Sequence, residues 1–369
     1  MAASDIYQQI RDWYVGFHAY LETEPEFAPL CRIFAEAAGG DLDFNGFRAL
    51  HQKAIFAIGI KLNSPARDLI VRAIKGYFTS RLGIVIGDVA EPQRQSDVAL
   101  RLDKMTYRGY VHLPDIGPDI VRDMRDYLSA SPITVEREGR IDTVSLDEAR
   151  PYGLAYYSPA TALSCPHLAA IGADQEILSL VSQYLGAPPT ILTYAAWWSF
   201  GGYGKPQGSQ FFHVDRDDYK FCKLFVYLTD VDETAGPHTY MDATQGYDAL
   251  TGLRARWPGG WDTFDDWFFG SLRKSDQEIV TAFQQLPTTF TGKAGKSFLV
   301  DTTGIHKGLL PVTSDRLIAQ LSYGVSPMLA SEYLKQKWQV IPMDQGHREA
   351  RAKSDERVFD YANRLYLKA

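Results

Sequence analysis

The sequence predicts a mainly β protein with helices: a double-stranded β-helix (jelly roll) core, with a helical N-terminal extension and a helical insertion. Three observations carry this expectation. About eight short strand-like runs between residues 190 and 325 are separated by Gly, Pro and Asp clusters, the texture of a double antiparallel sheet. Residues 1–88 show instead the 3.6-residue spacing of amphipathic helices. Residues 246–290 break the run of strands with a second helical pattern, rich in Trp257, Trp261, Trp267, Phe268 and Phe269.

Taken in order, "DIYQQIRDWYVGFHAYL" places Ile6, Ile10, Trp13, Tyr14 and Phe17 on one helical face. "GFRALHQKAIFAIGIKL" and "PARDLIVRAIKGYFTSRLG" predict two more helices, the second with Pro65 near its start and Gly83 at its end. "GDVAEPQRQSD" (87–97) is polar with one proline and reads as a linker. "YRGYVHLPDIGPDIVRDMRDYLSA" predicts a short strand, a turn at Pro118 and a helix with Ile120, Val121, Met124 and Leu128 inward. "DQEILSLVSQYLG" predicts a helix closed by Gly186. The strands follow as "TILTYAAWWSF", "QFFHVD", "FCKLFVYLTDV", "PHTYMD", "TTFTG", "SFLVD", "GIHKGLL" and "RLIAQLSYGV". The expected domains are a helical extension at 1–100, the jelly-roll domain at 101–330 with its insertion at 246–290, and a charged helical tail at 331–369.

Composition narrows the function classes. The chain has 369 residues, 45% apolar and 22% charged, enough for a sizeable core. A net charge of −7 argues against a dedicated nucleic-acid binder, which needs a concentrated basic surface. Cys31, Cys165 and Cys222 are far apart and form no CxxC, which fits a reducing compartment rather than a disulfide framework. The first residues lack a basic segment followed by an apolar block, and no apolar run would span a bilayer. A cytoplasmic protein with no membrane or nucleic-acid partner is expected, its oligomeric state open.

The chemistry-bearing stretch is "FFHVDRDDYKFCKLFVYLTDVDETAGPHTYM" (211–241). In a strand, His213 and Asp215 project from one face. An imidazole and a carboxylate converging there form two-thirds of a facial metal site, which a second histidine would complete for non-haem Fe(II). A His-x-Asp alone arises by chance roughly 0.7 times in such a composition, so it needs context. "GIHKGLL" supplies His306, and "SDRLIAQLSYGV" places Arg316 at the head of a strand. An inward arginine there calls for an anionic partner, and a guanidinium forms a bidentate fork with a carboxylate.

These stretches, with "YRGYVHLPDIGPDIVRDMRDYL", "EILSLVSQYLGAPPTI" and "IHKGLLPVTSDRLIAQLSYGVSP", resemble the phytanoyl-CoA dioxygenase family of Fe(II)/2-oxoglutarate-dependent oxygenases over residues 107–330. The resemblance implies that His213, Asp215 and His306 bind iron and that Arg316 holds the far carboxylate of 2-oxoglutarate. It implies a dioxygenase that consumes O2 and 2-oxoglutarate, releases succinate and CO2, and oxidises a small-molecule substrate. The carboxylate ligand Asp215 favours hydroxylation, desaturation or ring formation over chlorination. One departure is "DATQGYD" (242–248), where many relatives carry a "GSH"-like segment; it leaves the substrate open.

Several residues keep two readings. Lys223 and Tyr227 either reach the 2-oxoglutarate carboxylate or pack the barrel. Trp198 is either a pocket wall or core. His238 is structural or substrate-adjacent rather than a ligand. Asp217 and Asp218 read as solvated turn acids, and His347 as part of a charged helix face. The insertion is a lid or an outer helical pair, and the N-terminal helices cover a barrel face, mediate dimerisation or shape substrate entry. Two other functions compete: a metal-using, cupin-like isomerase or lyase, and a non-catalytic binding protein on the same fold.

Overall fold

The computed structural model describes residues 3–38, 42–60, 64–82, 92–327, 340–353 and 356–368. The N-terminal region forms α1 (Ala3–Thr23), α2 (Ala28–Ala38), α3 (Phe44–Ile60), α4 (Ser64–Tyr77) and α5 (Pro92–Arg108). There follow β1 (Tyr110–Leu113), α6 (Pro118–Ala130), β2 (Ile133–Arg137), β3 (Arg140–Val144), α7 (Leu146–Ala149), β4 (Leu154–Tyr156), α8 (Pro159–Leu163), α9 (Leu168–Gly172) and α10 (Gln175–Leu185). The main strands are β5 (Thr190–Ser199), β6 (Phe221–Tyr227) and β7 (His238–Tyr240). The insertion is α11 (Asp248–Ala255), α12 (Trp261–Gly270) and α13 (Asp276–Phe283). Then come β8 (Thr288–Phe290), β9 (Ser297–Val300), β10 (His306–Gly308) and β11 (Arg316–Gly324). The tail holds β12 (Ile341–Pro342), α14 (Gln345–Ala352), α15 (Glu356–Asn363) and β13 (Leu367–Lys368).

Eight strands make the major sheet, in the order β1-β9-β6-β11-β5-β4-β2-β3, and every pairing in it is antiparallel. The minor sheet is β10-β7-β8, also antiparallel. The two face each other across an aromatic interior of Tyr110, Phe225, Tyr227, Tyr240, Phe290 and Phe298, which makes the core a double-stranded β-helix. Strand alternation explains the sorting. On β6, Phe225 and Tyr227 enter this interior, while Cys222, Leu224 and Val226 join a second, larger core under the helices. Both faces of β6 are therefore covered, and all seven of its residues are buried.

Helix ends follow their local signals. α6 opens with Pro118 after Gly117. In α10 the Asp174 side chain accepts from Glu176 N and Ile177 N, and Gly186 closes the helix in the left-handed conformation. The inward set of α6 is Val121, Met124 and Leu128, with Ile120 only partly buried.

Some expectations change. Of the linker at 87–97, residues 87–91 lie outside the described residues, and 92–97 begin α5. Val98 and Met105 on that helix are buried, so the boundary drawn at residue 100 runs through a packed helix. α2, the β2–β3 hairpin and β4 were not expected. Gly83 and residues 331–339 lie outside the described residues, and the rest of the tail holds two helices and a two-residue parallel pair. Among the described residues no helix is long and apolar enough to cross a membrane.

Candidate active site

The metal end of the core is built where residues 211–217, on the connection from β5 to β6 of the major sheet, run beside the start of β10 in the minor sheet. His213 N donates to His306 O at 2.9 Å, and His306 N returns the bond to His213 O at 2.9 Å. Asp215 N donates to Thr302 O at 2.8 Å. This reciprocal bridge brings the two imidazole rings to 4.2 Å between centroids. Ligand atoms of His213, Asp215 and His306 all lie within 4.8 Å of one another.

Each ring is fixed from behind. His213 Nδ1 lies 2.8 Å from Phe211 O, and His306 Nδ1 lies 2.9 Å from Gly304 O. A carbonyl only accepts, so both Nδ1 atoms carry hydrogen and both rings offer Nε2 forward. His213 Nε2 stands 3.5 Å from Asp215 Oδ1 and His306 Nε2 stands 3.4 Å from Asp215 Oδ2. Burial, assisted by His306, pulls the His213 imidazole down to about 3, so its Nε2 is a bare lone pair. Lone pairs and carboxylate oxygens thus point at one place. The donor set, two imidazoles and one carboxylate, fits a divalent metal with open positions and suits Fe(II).

Lys223 lies on the carboxylate rather than beside Arg316. Its Nζ is 2.7 Å from Asp215 Oδ2 and 2.7 Å from Asp217 Oδ2. Burial opposes the charge of Asp215, but Lys223 and His306 hold it well below the usual carboxylate range. Burial, with Asp215 beside it, raises Asp217. For Lys223, burial lowers the ammonium pKa, and the two aspartates outweigh it and raise it. Lys223 pairs with Ser322 on β11, while Arg316 heads the same strand at its other end. At about 3.3 Å per residue the two positions stand about 20 Å apart along the sheet. Tyr227 is also engaged: its hydroxyl donates to Phe290 O and accepts from His238 N, both at 2.9 Å, and burial pushes it up to about 12. Both residues therefore have protein partners in the structure.

Arg316 is 4% exposed. It donates through Nη1 to Gly236 O and through Nη2 to Ser199 Oγ at 3.1 Å, and its Nε has no partner. Among the described residues no carboxylate reaches it. Burial lowers its pKa, and only tyrosines oppose the shift. Gly308 makes room for the guanidinium, since a Cβ there would lie 3.0 Å from Nη2.

Other residues settle into one reading. Trp198 belongs to the helical-side core, with Nε1 donating to Tyr157 Oη at 3.0 Å, and Trp197 is the tryptophan that packs against the sheet interior. Asp217 and Asp218 are buried rather than solvated. Asp218 accepts from Val325 N, Ser326 N, Ser326 Oγ and Tyr219 N at 2.6–2.9 Å, and burial pushes it up to about 7. Ser326 Oγ is 3.3 Å from His51 Nε2, and His51 Nδ1 is 2.9 Å from the Tyr14 hydroxyl, which ties α1 and α3 to this loop. His347 is buried in α14, where it meets Asp344. Asp217 had a signal in the sequence: His213, Asp215 and Asp217 share one face in an extended chain.

The insertion docks on this end. Lys274 N and O bond Phe212 O and N at 2.9 and 3.0 Å, next to His213. Val214, Phe268, Ser271 and Leu272 line a small cavity beside His213. The Arg216 guanidinium lies over Phe56 of α3 and Phe269 of α12, at 5.4 and 5.5 Å from the ring centres.

No family model and no curated protein matches the chain. Among solved structures, remote similarity is found to HygX from Streptomyces hygroscopicus, with nickel and 2-oxoglutarate bound (17% identity, 61% of this chain and 86% of that one, TM-score 0.43). The non-haem α-ketoglutarate-dependent epimerase SnoN from nogalamycin biosynthesis is similar at 16% identity, over 62% of this chain and 83% of that one (TM-score 0.42). EctD from S. alaskensis with bound Fe is similar at 17% identity, over 65% and 82% (TM-score 0.43).

Proposed function

We propose that the chain is an Fe(II)- and 2-oxoglutarate-dependent dioxygenase of the phytanoyl-CoA dioxygenase type, acting on a small molecule. The observation that carries this is the coexistence of a converging ligand set and a buried guanidinium that has no anion. Three acceptor groups meet with no donor among them, and a buried guanidinium lacks an anion. His213, Asp215 and His306 hold iron, and Arg316 grips the far carboxylate of 2-oxoglutarate. With O2, the bound iron and cosubstrate supply an oxidant for hydroxylation, desaturation or cyclisation, and release succinate and CO2. Phe225, Phe290 and Phe298 keep water from the reacting end. Lys223 holds Asp215 ionised and turned toward the metal. Residues 1–100, ending within α5, serve as the extension that braces the loop after Asp215, 101–330 as the oxygenase domain, and 331–369 as a tail whose helix α15 packs against the core beside β5. The insertion at 246–290 borders substrate entry beside His213. We place the protein in the cytoplasm.

A jelly-roll isomerase or lyase using the metal alone would have no use for an unpaired Arg316. Titrating 2-oxoglutarate into the anaerobic Fe(II) protein separates the two. A weak visible charge-transfer band is expected, together with substrate-dependent succinate release that His213→Ala abolishes. Metal bound with no band, or full turnover in His213→Ala, would reject the dioxygenase.

A further inference from the structure

We infer that His238 is a second cosubstrate-binding residue, its Nε2 donating to a carboxylate oxygen of 2-oxoglutarate from the sheet opposite Arg316. The inference rests on the dioxygenase reading. His238 heads β7 and is 4% exposed, yet its Nε2 has no hydrogen-bond partner. A buried polar atom left unpaired is destabilising, so a ligand atom is the natural explanation. The surroundings supply none: the ring lies among Phe225, Phe290 and Phe298, at centroid distances of 5.1, 5.3 and 5.6 Å. A phenylalanine would fill this space without leaving a polar atom stranded.

Position says which ligand. The ring stacks on that of His306 at 5.6 Å and 21°. In the minor sheet His238 pairs directly with Gly308, the residue whose missing side chain admits the Arg316 guanidinium. The imidazole therefore adjoins both a metal ligand and the anion-seeking arginine. A dicarboxylate spanning the two must pass it. It is not a fourth ligand, because the group of mutually close ligand atoms among the described residues is His213, Asp215 and His306 alone.

The test measures binding rather than turnover. His238→Phe and His238→Gln are loaded anaerobically with Fe(II), and 2-oxoglutarate is titrated by its charge-transfer band; Co(II) spectra report the metal site separately. Expected is wild-type metal binding in both variants, with about ten- to hundredfold weaker 2-oxoglutarate binding in His238→Phe and partial recovery in His238→Gln, which restores an N–H. Wild-type cosubstrate affinity in His238→Phe overturns the inference. So does loss of metal in both variants, which would make His238 a prop for His306. A wild-type protein that binds Fe(II) but shows no band fails the dioxygenase reading instead, so the two failures are distinct.

Discussion

Arg316→Met removes the guanidinium and keeps most of the aliphatic stem. Two effects oppose each other in the protein without cosubstrate. Taking an unpaired cation out of water costs several kcal/mol. Its bonds to the Gly236 carbonyl and the Ser199 hydroxyl return about 1.5–3 kcal/mol each, the range for charged donors. The terms nearly cancel, so the variant should unfold within about 2 kcal/mol of wild type. The difference should emerge when 2-oxoglutarate is added. At about a hundred times its dissociation constant, a ligand stabilises the native state by about 2.7 kcal/mol. If the lost ion pair weakens binding about a hundredfold, the variant gains only about 0.4 kcal/mol at the same concentration. Anaerobic urea unfolding of the Fe(II) protein, with and without 2-oxoglutarate, measures both quantities. An equal ligand-induced shift in the two proteins would refute the assignment. A loss of more than about 4 kcal/mol without ligand would show Arg316 to be a structural anchor instead.

Lys223→Met leaves Asp215 and Asp217 buried together without their cation, and should cost about 3–5 kcal/mol in the metal-free protein. Fe(II) should restore part of that, and metal-independent stability equal to wild type would contradict the contact. Tyr184→Phe removes a donor from buried Asp301 and should lower stability by about 1–3 kcal/mol in the same assay. His112 gives a pH prediction. Partial desolvation of this still solvent-exposed ring, helped by Lys296, Lys104 and Arg108 against Asp115, brings its pKa from 6.5 to about 4. Between those values the unfolded chain binds the extra proton, so His112 favours the fold above about 6.5 and that contribution is lost as pH falls toward about 4. His112→Gln should flatten the stability profile in this window; an unchanged slope between pH 7 and 5 would count against it.

What the sequence made legible was periodic or punctuated. β5, β6, β9 and β11 stand out because each is a dense apolar run with turn residues at its ends. His213, Asp215, His306 and Arg316 stand out because chemistry restricts which residue types can meet at such a site. The β2–β3 hairpin was missed because its outer residues are charged and exposed; its one clear mark is Glu138-Gly139, both at positive φ in the turn. The buried state of Asp217 and Asp218 was hidden for a different reason. Two acids in a turn look solvated until their partners arrive, and those partners are Lys223 on the next strand and Ser326 more than a hundred residues away. The stranded nitrogen of His238 is likewise a property of three-dimensional packing, with no local pattern to reveal it.

The link from Tyr14 through His51 and Ser326 to Asp218 bears on how the protein can be dissected. A fragment beginning at residue 101 would look like a tidy minimal oxygenase. It would instead strip the roof from an acid three positions beyond Asp215 and let solvent into the turn that aims that side chain. On the proposed reading, such an excised barrel should bind iron poorly even where it still folds, which would make the leading helices a support of the metal site.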